Sequence, residues 1–190
     1  MNTRWVRLVA GATLLDLAVS PLFAWNVFAG DLAARLHVSE VALSPVFSVG
    51  LASFAAGVLL AGPITDRMAP RVLALVTATL AAAGLLGSGL APSAAALVAA
   101  FGLGLGASTG LGYATAVRTA GTVDRRRGLA LAIVVSAYAG GTIGVAPAGA
   151  ALLGTIGVAW TLAALAAATT VVLVAAAALL PAMPAVRRSP

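Results

Sequence analysis

The stretch VLALVTATLAAAGLLGSGL, Val72 to Leu90, runs through nineteen positions without a charged residue. As a helix rising 1.5 Å per residue it reaches roughly 28 Å, close to the ~30 Å hydrocarbon core of a bilayer. Its apolar residues do not alternate with polar ones, which excludes a strand of a membrane barrel. Lipid offers no partner to exposed backbone N–H and C=O groups, so a run that crosses it must be a helix. Pro70 and Arg71 stand before the run and Pro92 and Ser93 after it, so both ends are marked.

Working outward, the same reading finds runs at Val6 to Phe28, Leu43 to Ala61, Ala94 to Val117, Leu129 to Leu153 and Val158 to Leu180. The 190 residues are 62% hydrophobic and carry 11 arginines, 5 acids and no lysine. That is 8% charged, about a third of what a soluble domain carries. An ordinary soluble protein and a disordered chain are thereby excluded, and the absence of cysteine excludes a disulfide scaffold. The expected fold is all-α and membrane-embedded: residues 1–190 as one bundle of six transmembrane helices.

The breaks between runs carry the charge. Gly30 to Ala42 holds Asp31, Arg35, His37 and Glu40, and Val38-Ser39-Glu40 reads as a helix start. Gly62 to Arg71 holds two prolines and three charges, Arg118 to Gly128 is strongly basic, and Gly154 to Gly157 is short and uncharged. With six spans, Arg4, Arg7, Arg67, Arg71, Arg118, Arg125, Arg126, Arg127, Arg187 and Arg188 all fall on one side. Only Arg35 falls on the other. The positive-inside rule then puts both termini in the cytoplasm. The formal charge of +6 is therefore a topology signal, and no nucleic-acid partner is expected. Arg4 and Arg7 before an apolar stretch suggest a secretory signal, but Asp16 interrupts the stretch and no cleavage site closes it, so an uncleaved first helix is expected.

Two breaks on the basic side carry motifs. Gly62-Pro63-Ile64-Thr65-Asp66-Arg67-Met68-Ala69-Pro70-Arg71 resembles the G-x-x-x-D-R-x-G-x-R loop of the major facilitator superfamily, with Ala69 where that pattern has glycine. Asp124-Arg125-Arg126-Arg127-Gly128-Leu129-Ala130 is similar to the family's R-R-G-L-A entry to the fifth helix. Within that superfamily, Trp25-Asn26-Val27-Phe28, the glycine-rich run from Gly102 to Tyr113, and Ser136 to Gly141 look like the branch of oxalate:formate antiporters and monocarboxylate transporters. Two departures stand out. Gly121-Thr122-Val123 replaces an aromatic pair of that branch, and Leu22 and Phe23 replace residues lining its oxalate site.

Individual residues carry specific expectations. Asp16 lies near the middle of the first run, where an ionised side chain costs several kcal/mol unless it faces a cavity or a partner. Two readings stand: a coupling or substrate-orienting carboxylate, and a hydrogen-bonded packing residue with Thr13 and Ser20 one turn away. Trp25, Asn26, Tyr113 and Tyr138 are candidate lining residues of a substrate cavity, set against the interfacial placement that Trp and Tyr favour. Gly102, Gly106 and Gly110 recur every four residues, and Gly140, Gly144 and Ala148 repeat that spacing, so close helix packing is expected on both faces. Pro147 adds an expected kink in the fifth run.

Gly62, Asp66, Arg67, Arg71, Arg118 and Asp124 form a candidate cytoplasmic gating motif, with Asp66 expected near a helix N-terminus where the dipole favours it. Solvated charges serving only topology are the other reading. One histidine, His37, no cysteine and no acid pair at helical spacing leave no metal site, no cofactor and no enzymatic constellation to expect.

The resemblance covers the whole chain but only the first half of a family transporter. It implies membrane transport of a small solute, a small organic anion such as a mono- or dicarboxylate, with the substrate held between two six-helix halves. It also implies that cations holding that anion come largely from the second half. The expected partners are the lipid bilayer, a small-molecule substrate, and a second six-helix half supplied by another copy or by a separate chain. The expected location is a bacterial inner membrane. A truncated or degenerate half without transport, and a membrane scaffold or assembly protein, remain open at this point.

Overall fold

The computed structural model describes residues 3–123 and 126–182, and no strand occurs among them. The order is α1 (Thr3–Ala18), a 3-10 turn (Ser20–Ala24), α2 (Trp25–Leu36), a second 3-10 turn (Glu40–Leu43), α3 (Ser44–Arg67) and α4 (Pro70–Leu90). Then follow α5 (Ala94–Leu97), a π-helical segment (Val98–Leu105), α6 (Gly106–Gly121) and α7 (Arg127–Leu179). Five helical stretches among the described residues are long and apolar enough to cross a membrane: Thr3–Leu36, Glu40–Arg67, Pro70–Leu90, Ala94–Gly121 and Arg127–Leu179.

The fifth stretch, α7, has 53 residues. Straight, it would reach ~80 Å, more than twice the bilayer core. Gly157, at φ 74° and ψ 168°, breaks it in a conformation essentially reserved for glycine. The limb before the break sets Gly141 against Leu17 and Ser20, and Gly149 against Phe28. The limb after it turns back, with Ala159 beside Gly89 and Leu179 beside Gly11. The Arg71 N–H donates to the Pro181 carbonyl at 3.2 Å, so the returning limb ends beside the start of α4.

The first run departs from the continuous helix expected over Val6 to Phe28. Pro21 has no N–H, so the Leu17 carbonyl loses its ordinary α-helical donor, and the chain passes through the Ser20–Ala24 turn. α2 then continues to Leu36, where His37 enters the left-handed region (φ 55°) and Val38 N–H closes back on Ala33 O at 3.0 Å. That is a Schellman-type stop. Arg35, expected in an outer loop, therefore stands on helix. Its guanidinium donates to the carbonyls of Gly89 and, at 2.9 Å, Ala91 at the end of α4, where a cation is favoured by the dipole.

A second boundary also moves. α3 runs through Gly62 and Pro63 to Arg67, so the break before α4 narrows to Met68 and Ala69, both extended. The residue before a proline is confined to that region, and Ala69 needs no glycine's freedom there.

Helix packing follows the small residues. A Cβ on Gly106 would stand 2.6 Å from Gly50 O, and one on Gly110 2.2 Å from Phe54 O and 2.9 Å from Gly57 Cα. The fourth-span stripe of Gly102, Gly106 and Gly110 thus presses its backbone onto α3, the close approach that lets dispersion hold helices together in lipid. On α7 the expected register is wrong by one residue. Gly140 and Gly144 face open space, and Gly141 and Gly149 make the close contacts. Because the Leu17 carbonyl and Ser20 crowd this point, only the glycine at position 141 leaves room for the approach. Leu15, Leu22, Phe28, Leu32, Phe101 and Leu162 fill the core around the first span, while Leu59 and Leu60 of α3 and Ile143 of α7 are exposed.

Candidate functional site

Most hydroxyls in these helices satisfy themselves. Ser88 donates to Gly84 O at 2.6 Å, and Thr115 and Thr119 each donate one turn back at 2.7 Å. A second set does not: Thr13 Oγ1, both carboxyl oxygens of Asp16, Ser20 Oγ, Thr77 Oγ1 and Tyr138 Oη are buried with no partner among the described residues. Unsatisfied buried polar groups cost ~1–3 kcal/mol each, so a cluster of them singles this place out as a candidate site.

These groups converge on the break in the first span. Thr13, Asp16 and Ser20 follow one another at three and four residues and so share one face of α1 and its continuation. Gly141 approaches so closely that its Cβ would lie 2.3 Å from Leu17 O and 2.4 Å from Ser20 Oγ. Tyr138, one turn earlier on α7, is within electrostatic reach of Asp16. From the other side, Thr109 Oγ1 donates to the Val19 carbonyl at 3.1 Å and to Leu105 O at 2.9 Å. Ser108 Oγ donates to Thr77 O at 2.9 Å, and Val19 and Thr77 meet where a Cβ on Gly112 would be. Four elements therefore surround a discontinuity that carries a carboxyl group, three hydroxyls and a phenol without hydrogen-bond partners.

Aromatic rings adjoin this place through Tyr138. Phe23 of the 3-10 turn, Tyr138 of α7, Tyr113 of α6 and Phe54 of α3 form a circuit with centroid separations of 5.5, 5.8, 5.8 and 6.2 Å. Phe47 leans on Phe23 from outside the circuit at 6.0 Å. Of the four residues expected to line a cavity, the structure brings Tyr113 and Tyr138 together. Trp25 instead packs into the core against Phe101, ring centroids 4.8 Å apart, and Asn26 is exposed on α2. The physical reason is the 3-10 turn, which resets the helical phase between Asp16 and Trp25 and aims the indole inward.

At the basic end, the Arg118 guanidinium pairs with the Asp66 carboxylate and donates to the Gly62 carbonyl at 3.0 Å, tying the end of α6 to the end of α3. Asp66 stands in the last turn of α3, not at a helix N-terminus as expected. The dipole disfavours an acid there, and the arginine offsets it. Arg67 ends α3 and Arg71 lies in the first turn of α4, while Asp124 lies outside the described residues. Among the described residues no group of three His, Asp or Glu stands close enough to hold a metal ion.

Sequence reasoning missed Thr109, Ser108, Thr77 and the close contact of Gly141, and took Phe23 only as a departure from the oxalate-lining pattern. A signal for the discontinuity was present, since Pro21 follows Ser20 in mid-run, four residues beyond Leu17. The eight-residue π-helical segment, a form often found at functional sites, had no sequence marker beyond its glycines.

Comparison with known proteins agrees with this architecture. The family described as Major Facilitator Superfamily matches residues 9–190. The chain is 28% identical over 160 residues, 82% of its own length, to the protein called "Uncharacterized MFS-type transporter YhjX" of Escherichia coli (strain K12). It spans about 39% of that relative's length.

Proposed function

This chain belongs to the major facilitator superfamily, a family of membrane transporters, and from that premise we propose that it forms a six-span unit moving a small organic anion together with a second six-span unit. The six spans are the first four helical stretches and the two limbs of α7 on either side of Gly157. Both termini face the cytoplasm in this reading, as the arginine distribution favours, and the membrane is a bacterial plasma membrane. Alternating access would come from rocking the two units around a shared midplane site.

One observation carries the proposal: the unpartnered cluster of Asp16, Ser20, Thr77 and Tyr138 at the broken first span, joined through Tyr138 to the aromatic circuit. Discontinuous helices whose freed backbone groups line a cavity are a recurring design for transport sites. Phenolic and hydroxyl O–H groups donate, which suits a carboxylate, and Asp16 supplies a carboxyl group that exchanges a proton as the solute moves. The described spans contribute no cation at this depth, so the positive charge for the anion comes from the second unit. Arg118, Asp66 and Gly62 hold the cytoplasmic end shut, and their separation opens it. Exposed Leu59, Leu60 and Ile143 lie on α3 and α7, the elements we assign to the second unit's contact.

The test is uptake in proteoliposomes holding the protein, with labelled oxalate, formate and lactate tried separately. Uptake above that of empty vesicles, weakened in Tyr138→Phe and stripped of its pH dependence in Asp16→Asn, is the expected result. Equal activity and equal pH dependence in both variants would reject the assigned site, and a total lack of uptake would favour a scaffold role. The chain has no cysteine, so a single Ile143→Cys variant reports pairing cleanly by crosslinking in native membranes.

A further inference from the structure

Among the described residues two aspartates stand in the last turn of a helix, and they differ in what offsets their charge. Asp66, in the last turn of α3, is paired with Arg118. Asp16 lies in the last turn of α1, which ends at Ala18 and has no basic residue there. Both of its carboxyl oxygens are buried without a hydrogen-bond partner, and among the described residues no arginine pairs with it. The free carbonyls at a helix C-terminus carry partial negative charge, so an acid beside them is disfavoured unless a positive charge offsets it. For Asp66 the chain supplies that charge. For Asp16 it has to come from outside the chain.

The oxygens around Asp16 suit a hard cation. Pro21 has no N–H, so the Leu17 carbonyl lacks its ordinary donor where the helix breaks. Ser20 Oγ is buried and unpartnered, four residues after Asp16 and so on the same face as its carboxyl group. The point where a Cβ on Gly141 would stand is 2.3 Å from Leu17 O and 2.4 Å from Ser20 Oγ. Those two oxygens are therefore close enough together to touch one ion, and glycine keeps that edge free of a side chain. A cation of the size of sodium or calcium bonds oxygen at ~2.3–2.6 Å, a spacing too short for the larger potassium ion. Unwound backbone carbonyls and half-helix C-terminal ends are where transport proteins coordinate sodium. With oxygen donors alone, and no imidazole or thiolate, a transition metal is disfavoured. The charge count selects the valence: one carboxylate neutralises a single positive charge, whereas a divalent ion would leave a net charge buried among apolar spans.

We propose that the end of α1 is a sodium site, the ion held by the Asp16 carboxylate, the Leu17 carbonyl and Ser20 Oγ, with water completing its shell. The proposal rests on reading this cluster as the transport site, and it names the ion that balances the carboxylate once its proton has left. With sodium in place the break carries no net charge, and one ion ties the end of α1 to the turn that follows it.

The experiment is binding of radioactive sodium to the full chain, purified in a neutral detergent and kept in choline chloride. Saturable binding of one ion per chain is expected, displaced by unlabelled sodium and by potassium only at roughly tenfold higher concentration. Asp16→Asn should abolish binding and Ser20→Ala should weaken it roughly tenfold. Thr155→Ala, which removes an exposed hydroxyl bonded to its own helix, should bind as the parent does. Saturating sodium should also raise the parent's thermal midpoint by roughly 5 °C and leave that of Asp16→Asn unmoved. If Asp16→Asn fails to fold, Ser20→Ala decides. No saturable binding in the parent, equal displacement by sodium and potassium, or undiminished binding in Ser20→Ala would each overturn the proposal. Anion uptake with its pH dependence intact but no sodium binding would remove the ion and leave the transport reading standing. Sodium binding without uptake of any tested anion would uphold the ion site and reject that reading.

Discussion

Two glycine stripes with the same four-residue spacing meet opposite fates in this molecule. Gly102, Gly106 and Gly110 are pressed so hard onto α3 that a single methyl group at position 110 would stand 2.2 Å from a carbonyl oxygen. Gly140 and Gly144 of α7 would meet nothing within 4 Å, although Gly141 beside them is as tightly held as any glycine in the chain. Small residues at four-residue intervals define a face that permits approach, and the neighbour's position decides whether approach occurs. In the fourth span the neighbour is α3. In the fifth it is the broken first span, and it lies one residue, about 100° of rotation, away from the repeated stripe.

The comparison can be broken by substitution, beginning with the largest effect. Gly110→Val should lower stability by about 3 kcal/mol or more, because the side chain meets backbone of Phe54 and Gly57 that cannot swing aside. Unfolding by heat in detergent would show it, and a midpoint equal to the parent's would refute the packed stripe. Gly141→Ala should cost ~2 kcal/mol by the same measurement, since its methyl would collide with the Leu17 carbonyl and Ser20 Oγ.

A smaller effect tests why the first span is held where it is. Thr109→Val keeps the shape but removes the donor to the Val19 carbonyl, and should cost about 1 kcal/mol. Amide hydrogen exchange should then rise around residues 19–24 and stay unchanged in α3. The smallest effect is expected at the open stripe. Gly140→Ala and Gly144→Ala should change unfolding by less than about 0.5 kcal/mol. A cost equal to that of Gly141→Ala would show instead that Gly140 and Gly144 are packed as closely as Gly141. If a bulkier Gly144→Leu weakens pairing between units while leaving unfolding of the single chain unchanged, the open stripe belongs to the partner's side.

The same contrast explains which parts of the fold and site could be read in advance. The runs of apolar residues were legible because lipid enforces helix over some twenty residues whatever the neighbours do. The turn at Gly157 was legible in outline, as a short uncharged break. The ends of α2 and α3 were not, because Arg35 and Asp66 look like loop charges until partners are seen: the carbonyls of Gly89 and Ala91 for one, Arg118 for the other. Asp16, Tyr113 and Tyr138 stood out by residue type, since ionisable and phenolic groups are expensive in an apolar span. Trp25 stood out for the same reason and went elsewhere, into the core on Phe101. Thr109 and Ser108 were silent in the sequence because most hydroxyls in these spans bond their own helix and carry no outward signal.

By itself, then, the sequence determined the apolar surroundings, the helical class and the family motifs in the basic breaks, each a property of one segment or of the composition. What only the tertiary structure decided was the phase of each helix about its axis. A 3-10 turn at Pro21 resets that phase in the first span, and a one-residue step moves the contact face of α7 from Gly140 to Gly141. Phase decides whether a polar group finds a partner, lies in the core or is left waiting at a site, and it is set by packing against neighbours that no single stretch of sequence contains.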